Sequence, residues 1–192
     1  MKTLLISAAL AASILAPAAA NAQAVPGAVI AVVDLERVTA ECNACRTAQA
    51  ALRSQATAFE NERKSFGTSL QTERTSIQAA VDALKGKDPD AALQARIKAF
   101  QTKTQQDEQQ LQARQQQISR NQQYIQKQVA DKLNPIYQQV MQRRGANILL
   151  ETGSTLATST SVDVTNDVLA GLNASLPSIV TQAPAAAQPQ GR

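Results

Sequence analysis

The chain has 192 residues, a net charge of +4 and a pI of about 9.3, with 3% aromatics and neither histidine nor tryptophan. So few bulky side chains cannot fill a large globular core, whereas an Ala- and Gln-rich composition builds long helices with thin apolar seams. Without histidine no Ser/His/Asp set can form, and the mild positive charge permits attraction to acidic chains or anionic lipid without requiring it.

Lys2 supplies a positive n-region, Leu4 to Ala16 an apolar h-region, and Ala20-Asn21-Ala22 the small-x-small form of a cleavage site. The apolar run is shorter than the ~20 residues that span a bilayer, and no lipobox cysteine follows it. Residues 1–22 therefore read as a signal peptide cleaved after Ala22, which sends the mature chain to a bacterial periplasm.

The run from Ala28 to Asp34 is compact and β-branched with no polar alternation, the pattern of a strand buried on both faces. Leu35 to Arg46 turns helical and feeds a stretch of nearly a hundred residues, 46–144, in two helical halves. In the first half Leu52, Phe59 and Phe66 stand seven apart, then Leu70, Ile77 and Leu84 on the adjoining seam. In the second, Ile97, Leu111, Ile118 and Ile125 share one seven-residue spacing in which only the Thr104 step is polar. Sustained sevens mark helices that supercoil through a narrow seam. Between the halves, residues 85–89 form a breaker. Gly86 suits a left-handed helix end, Asp88 a cap for the next helix, and Pro89 its first position. The chain goes out, turns and returns as an antiparallel hairpin with arms of roughly 60–75 Å at about 1.5 Å per residue.

Pro135 predicts a kink or break near Leu133, because proline removes a helical hydrogen bond and clashes with the preceding turn. The return helix ends at Arg143-Arg144-Gly145, and residues 146–151 are a second strand candidate. Leu156 to Thr158 is a third. A short helix runs from Asn166 to about Leu176, with Asp167 near its positive end and Pro177 as its stop. Beyond Val180 the Ala/Pro/Gln-rich tail, 181–192, lacks the apolar surface to order itself.

Topology follows. The strand near residue 30 has no partner until residue 146, and only the hairpin can bring the two together. The fold is mainly α: a long helical hairpin projects from a small β body built discontinuously from residues 23–45 and 145–180. Two or three short strands are marginal alone, and their exposed edges call for self-association in a small cyclic oligomer.

Candidate chemistry is sparse. Cys42-Asn43-Ala44-Cys45 lacks the following histidine of a haem site and the further ligands of a zinc site. The pair is left between a disulfide, which the periplasm would favour, and two small residues packed near the body. Glu60, Glu62, Glu73, Asp107 and Glu108 are expected on solvated helix faces. Near the hairpin tip Lys85, Lys87, Arg96 and Lys98 are candidate contacts for an acidic chain or an anionic lipid surface, offset by Asp88 and Asp90. Nucleic acid is not expected, since aromatics are not interleaved with the basic residues. No catalytic residue, metal or cofactor is expected. Seams diluted by Ala, Thr and Gln, above all between Gln101 and Gln128, would leave weakly packed arms with scattered apolar contacts. Such arms suit multivalent holding of a nonspecific client. They would equally suit a structural coiled-coil adaptor or spacer of the cell envelope.

The strand ending in Val33-Asp34, the Gln/Ala/Lys-rich hairpin, Ile148-Leu149-Leu150-Glu151 and Asp163-Val164-Thr165-Asn166-Asp167-Val168-Leu169 together resemble the Skp/OmpH family of periplasmic chaperones. The resemblance reaches from the mature start to about Leu176. It implies a homotrimer in which a β body joins three subunits and three helical arms enclose a cavity. Unfolded outer-membrane β-barrel proteins would be held there without ATP. It also implies basic arm tips around Lys85 and Lys87, and contact with lipid or lipopolysaccharide is an open extension of that. The cysteine pair is outside the family pattern.

Overall fold

A computed structural model of the protein describes residues 26–184. The expected signal peptide lies outside the described residues, as does the chain from 185 onward.

Six principal elements follow one another. They are β1 (Ile30–Val33), α1 (Leu35–Glu41), α2 (Asn43–Ala83), α3 (Ala91–Arg144), β2 (Ile148–Glu151) and α4 (Thr165–Ser175). α2 and α3 are the arms, about 60 and 80 Å long at about 1.5 Å per residue. The expected seam is where they meet. Leu52, Phe59, Phe66, Leu70, Ile77, Leu84, Ile97, Leu111 and Ile118 are all half-buried, and Ile125, nearest the body, is buried. Gln55 bonds to Asn121, Glu62 to Gln110 and Glu73 to Arg96, so numbers rise on one arm as they fall on the other. The hairpin is antiparallel.

The turn is built by Lys85 (φ 52°) and Gly86 (φ 87°), with the Lys87 N–H donating to the Leu84 carbonyl at 3.1 Å. Gly86 takes the left-handed conformation expected of it. The cap of the return helix is Asp90 and not Asp88: its carboxylate accepts from the Leu93 N–H at 2.8 Å, and α3 begins at Ala91. Pro89 precedes the cap, and its carbonyl accepts from the Gln94 side chain at 2.8 Å.

The break expected near Leu133 does not occur, since α3 runs unbroken from Ala91 to Arg144. Pro135 and Asp131, whose carbonyl loses its partner, both lie on the exposed face where water can replace the bond. A break occurs instead at Cys42, whose extended ψ of 125° separates α1 from α2.

β1 and β2 pair in parallel, Ile30 beside Ile148 and Val33 beside Glu151. A parallel pair needs a long crossover, and the whole hairpin supplies it. Leu156–Thr158 is not a strand, and Leu156 is fully exposed. Tight turns at Thr152–Ser154 and Thr160–Val162 flank it, and Ser and Thr hydroxyls in them bond to nearby backbone in place of a ladder. The free side of β1 is met by Asp163, and the Val164 N–H donates to the Val32 carbonyl at 2.8 Å.

One face of this sheet, with Ala31, Val33 and Leu149, covers the core. Val38 of α1, Val129, Leu133, Ile136 and Val140 of α3, and Val168 and Leu172 of α4 complete it. The body is thus assembled from both ends of the chain around the base of the returning arm. Gly171 lets α4 approach α3: a Cβ there would stand 2.9 Å from Ile136 Cγ2.

Candidate functional site

At the junction of β1 with α4 meet two of the stretches that carry the resemblance noted above, Val33-Asp34 and residues 163–169. Asp34 caps α1 through the Arg37 N–H at 2.8 Å, and its own N–H donates to Thr165 Oγ1 at 2.9 Å. The Thr165 N–H donates to Asp163 Oδ1 at 2.8 Å. The Thr165 hydroxyl and backbone N–H, with the Arg37 charge nearby, hold the Asp163 carboxyl below its ordinary range against a smaller opposing effect of burial. Thr165 is buried and Arg37 also bonds to Asn166. These groups join the segment around β1 to the start of α4 in one body.

Cys42 and Cys45 are joined by a disulfide in the core at the α1–α2 break. The Cys45 N–H donates to Cys42 Sγ, and the Asn43 N–H to Asn173 Oδ1 of α4 at 2.9 Å. The bond staples the root of the outgoing arm.

The four basic candidates near the tip part company. Arg96 forks onto Glu73 of the other arm at 2.6 and 3.0 Å and reaches Ser76 Oγ at 2.7 Å. The Arg96 bonds draw the Glu73 carboxyl below its ordinary range, and those to Glu73 raise the guanidinium in turn. Arg96 is a brace between arms. Lys85, Lys87 and Lys98 are exposed and make no ion pair among the described residues. Asp107 departs from the solvated face expected for it: at 6% exposure it is buried, held by Lys103 at 2.8 Å, whose ammonium lies 5.3 Å from the centre of the Phe66 ring.

Two further surfaces stand open: the second face of the sheet, which the sequence pattern expected to be buried, and a cleft between the arms that had no sequence signal. The second face of the sheet is apolar yet open. Ile30, Ile148 and Leu150 are more than a third exposed, with Val29 beside them at 50%. Between the arms near the body, Gln49, Leu52, Ile125, Gln126, Val129 and Leu133 line a cleft of about 450 Å³. On the other flank of the seam residues 180–183 lie against the arms, held by Gln128, Asn121, Gln117 and Gln55. Order was not expected there. Side-chain amides take up the tail's backbone groups, which compensates for its lack of apolar surface. The glutamine excess in this arm was visible in the sequence, but as a sign of weak packing.

Among the described residues no three metal-ligating side chains come together, and no helix is long and apolar enough to cross a membrane. No curated protein matches the chain. In fold it is similar to a crystal structure from Caulobacter crescentus CB15, described as a candidate outer membrane chaperone (OmpH-like), with a TM-score of 0.67 and 22% identity. The match covers 84% of this chain and 94% of that one. The sequence profile of OmpH, outer membrane protein (OmpH-like), matches residues 29–172, from the start of the sheet to the last turn of α4. The chain belongs to the OmpH-like family.

Proposed function

We propose that the protein is an ATP-independent holdase of the periplasm, which binds unfolded outer-membrane β-barrel precursors and keeps them from aggregating. It acts without catalysis and without a cofactor. The observation that carries this reading is the character of the arms: a seam only half-buried along most of its length. Many poor, separated contacts of this kind hold an unfolded chain by number and release it easily. Family membership and the fold shared with a candidate OmpH-like outer membrane chaperone support the same conclusion.

The working form is a homotrimer joined through the open sheet face. β2 is an edge, and Ile30, Ile148 and Leu150 present an apolar patch around it that a closed ring of subunits would cover. Export by the signal peptide at 1–22 places the trimer where its clients pass. Lys85, Lys87 and Lys98 then face outward at the tip, available to anionic lipid or lipopolysaccharide.

Light scattering tests the reading. A urea-unfolded outer-membrane β-barrel is diluted into buffer with and without the mature protein, and without nucleotide. Aggregation should be suppressed and should saturate near three chains per client. Unchanged aggregation at every stoichiometry and salt concentration would transfer the assignment to an envelope adaptor or spacer.

A further inference from the structure

The tail segment against the arms is bound through its main chain. The Gln128 amide serves both backbone groups of Val180, donating to its carbonyl at 2.9 Å and accepting from its N–H at 3.0 Å. A neighbouring β-strand would satisfy that residue in the same way. Asn121 Oδ1 accepts from the Ala183 N–H at 2.8 Å, and Gln117 reaches the Ala183 carbonyl at 3.4 Å. Gln55, from the opposite arm, donates to the Thr181 carbonyl at 3.3 Å. The row is held in place from within: Asn121 Nδ2 donates to Gln55 Oε1 and Gln117 Nε2 to Asn121 Oδ1, both at 2.8 Å. Every bond to the segment ends on N–H or C=O. Every residue but proline offers those groups in an extended polypeptide.

We propose that Gln128, Asn121, Gln117 and Gln55 form a sequence-independent binding track for an extended polypeptide segment, which residues 180–183 occupy until a client segment displaces them. The track supplies what an unfolded chain most needs when its apolar side chains are held out of water, namely partners for its backbone. Being tethered, the chain's own tail competes at a high effective concentration, so the occupied track resists weak ligands. The client half of this proposal rests on the holdase reading, but the track itself does not.

The test compares the full mature chain with one ending at Ile179. The removed residues lie outside the hydrophobic core, so the body remains whole. The probe is a capped synthetic peptide of residues 178–184, in native order and in a scrambled order that keeps the proline last, followed by NMR through the side-chain amides of Gln128 and Asn121. Both orders should bind the shortened chain alike and about tenfold more tightly than the full chain. Gln128→Ala with Asn121→Ala should remove the gain, and in the full chain should speed amide exchange at Val180 and Ala183. Equal binding to both chain lengths, or binding of the native order alone, overturns the track. If the peptide binds as expected but aggregation is not suppressed, the holdase reading fails and the track stands. If aggregation is suppressed but shortening changes nothing in the peptide titration, the track fails and the holdase reading stands.

Discussion

Asp163 and Gly171 are two residues of the body on which the packing of α4 depends. The Asp163 carboxyl has a folded pKa below its ordinary value near 3.8, so the unfolded state binds its proton more tightly. Its stabilising contribution is fully present above the ordinary value and is lost as pH falls through the folded one. Urea midpoints of wild type and Asp163→Asn should therefore differ at neutral pH and converge in strong acid. A constant difference across that range would separate Asp163 from the acid response. Gly171 answers to space, since a methyl group there would meet Ile136 Cγ2 at 2.9 Å. Gly171→Ala should cost about 1–3 kcal/mol by overpacking. Ile136→Val keeps both γ carbons and relieves little, whereas Ile136→Ala removes Cγ2 outright and is the partner for Gly171→Ala. A double-mutant cycle by urea unfolding measures the coupling between the two positions, which should favour the doubly altered chain relative to the sum of single effects.

At the scale of the element, the arms are joined by an apolar seam with polar bonds spaced along it. Glu73 and Arg96 fix register far from the body, where the seam alone is thin. Exchanging them, Glu73→Arg with Arg96→Glu, should retain much of the arm's protection in amide exchange, whereas either change alone should speed exchange near the tip. Equal exchange in all four chains would mean that the seam sets register unaided. The disulfide works at the other end of α2. Reducing it, or replacing Cys42 and Cys45 by Ser, removes a constraint on a very short loop, worth about 2 kcal/mol. The urea midpoint should drop while the arms keep their helical circular dichroism.

For the whole molecule the decisive feature is the sheet face left open. Leu150 is 36% exposed in the single chain, whereas Val32, on the same face by register, is 3% exposed and already buried within the subunit. A charge at Val32 would damage the body itself. Leu150→Asp should spare the monomer and dissociate the proposed trimer, which analytical ultracentrifugation would detect. A variant that stays assembled would place the interface elsewhere. At the far end, Lys85→Glu with Lys87→Glu should weaken flotation with anionic vesicles if the tip meets lipid, and unchanged flotation would retire that role.

Much of this architecture can be read from local pattern. Sevens of Leu, Phe and Ile determine which faces of α2 and α3 meet, because helical geometry repeats every few residues and needs no distant information. Gly86 and Gly145 mark helix ends by the same logic: both take the positive φ that a side chain resists. That residues 30 and 148 should meet also follows from sequence, once the hairpin is recognised as the connection between them. The remainder depended on which groups come close across the folded chain. Asp90 rather than Asp88 caps α3, Asp163 rather than Leu156 flanks β1, and Arg96 is spent on Glu73. The tail is ordered by amides more than fifty residues away. Periodicity reports a residue's face, but a hydrogen bond requires two groups within about 3 Å, and only the assembled arms and body bring them that near.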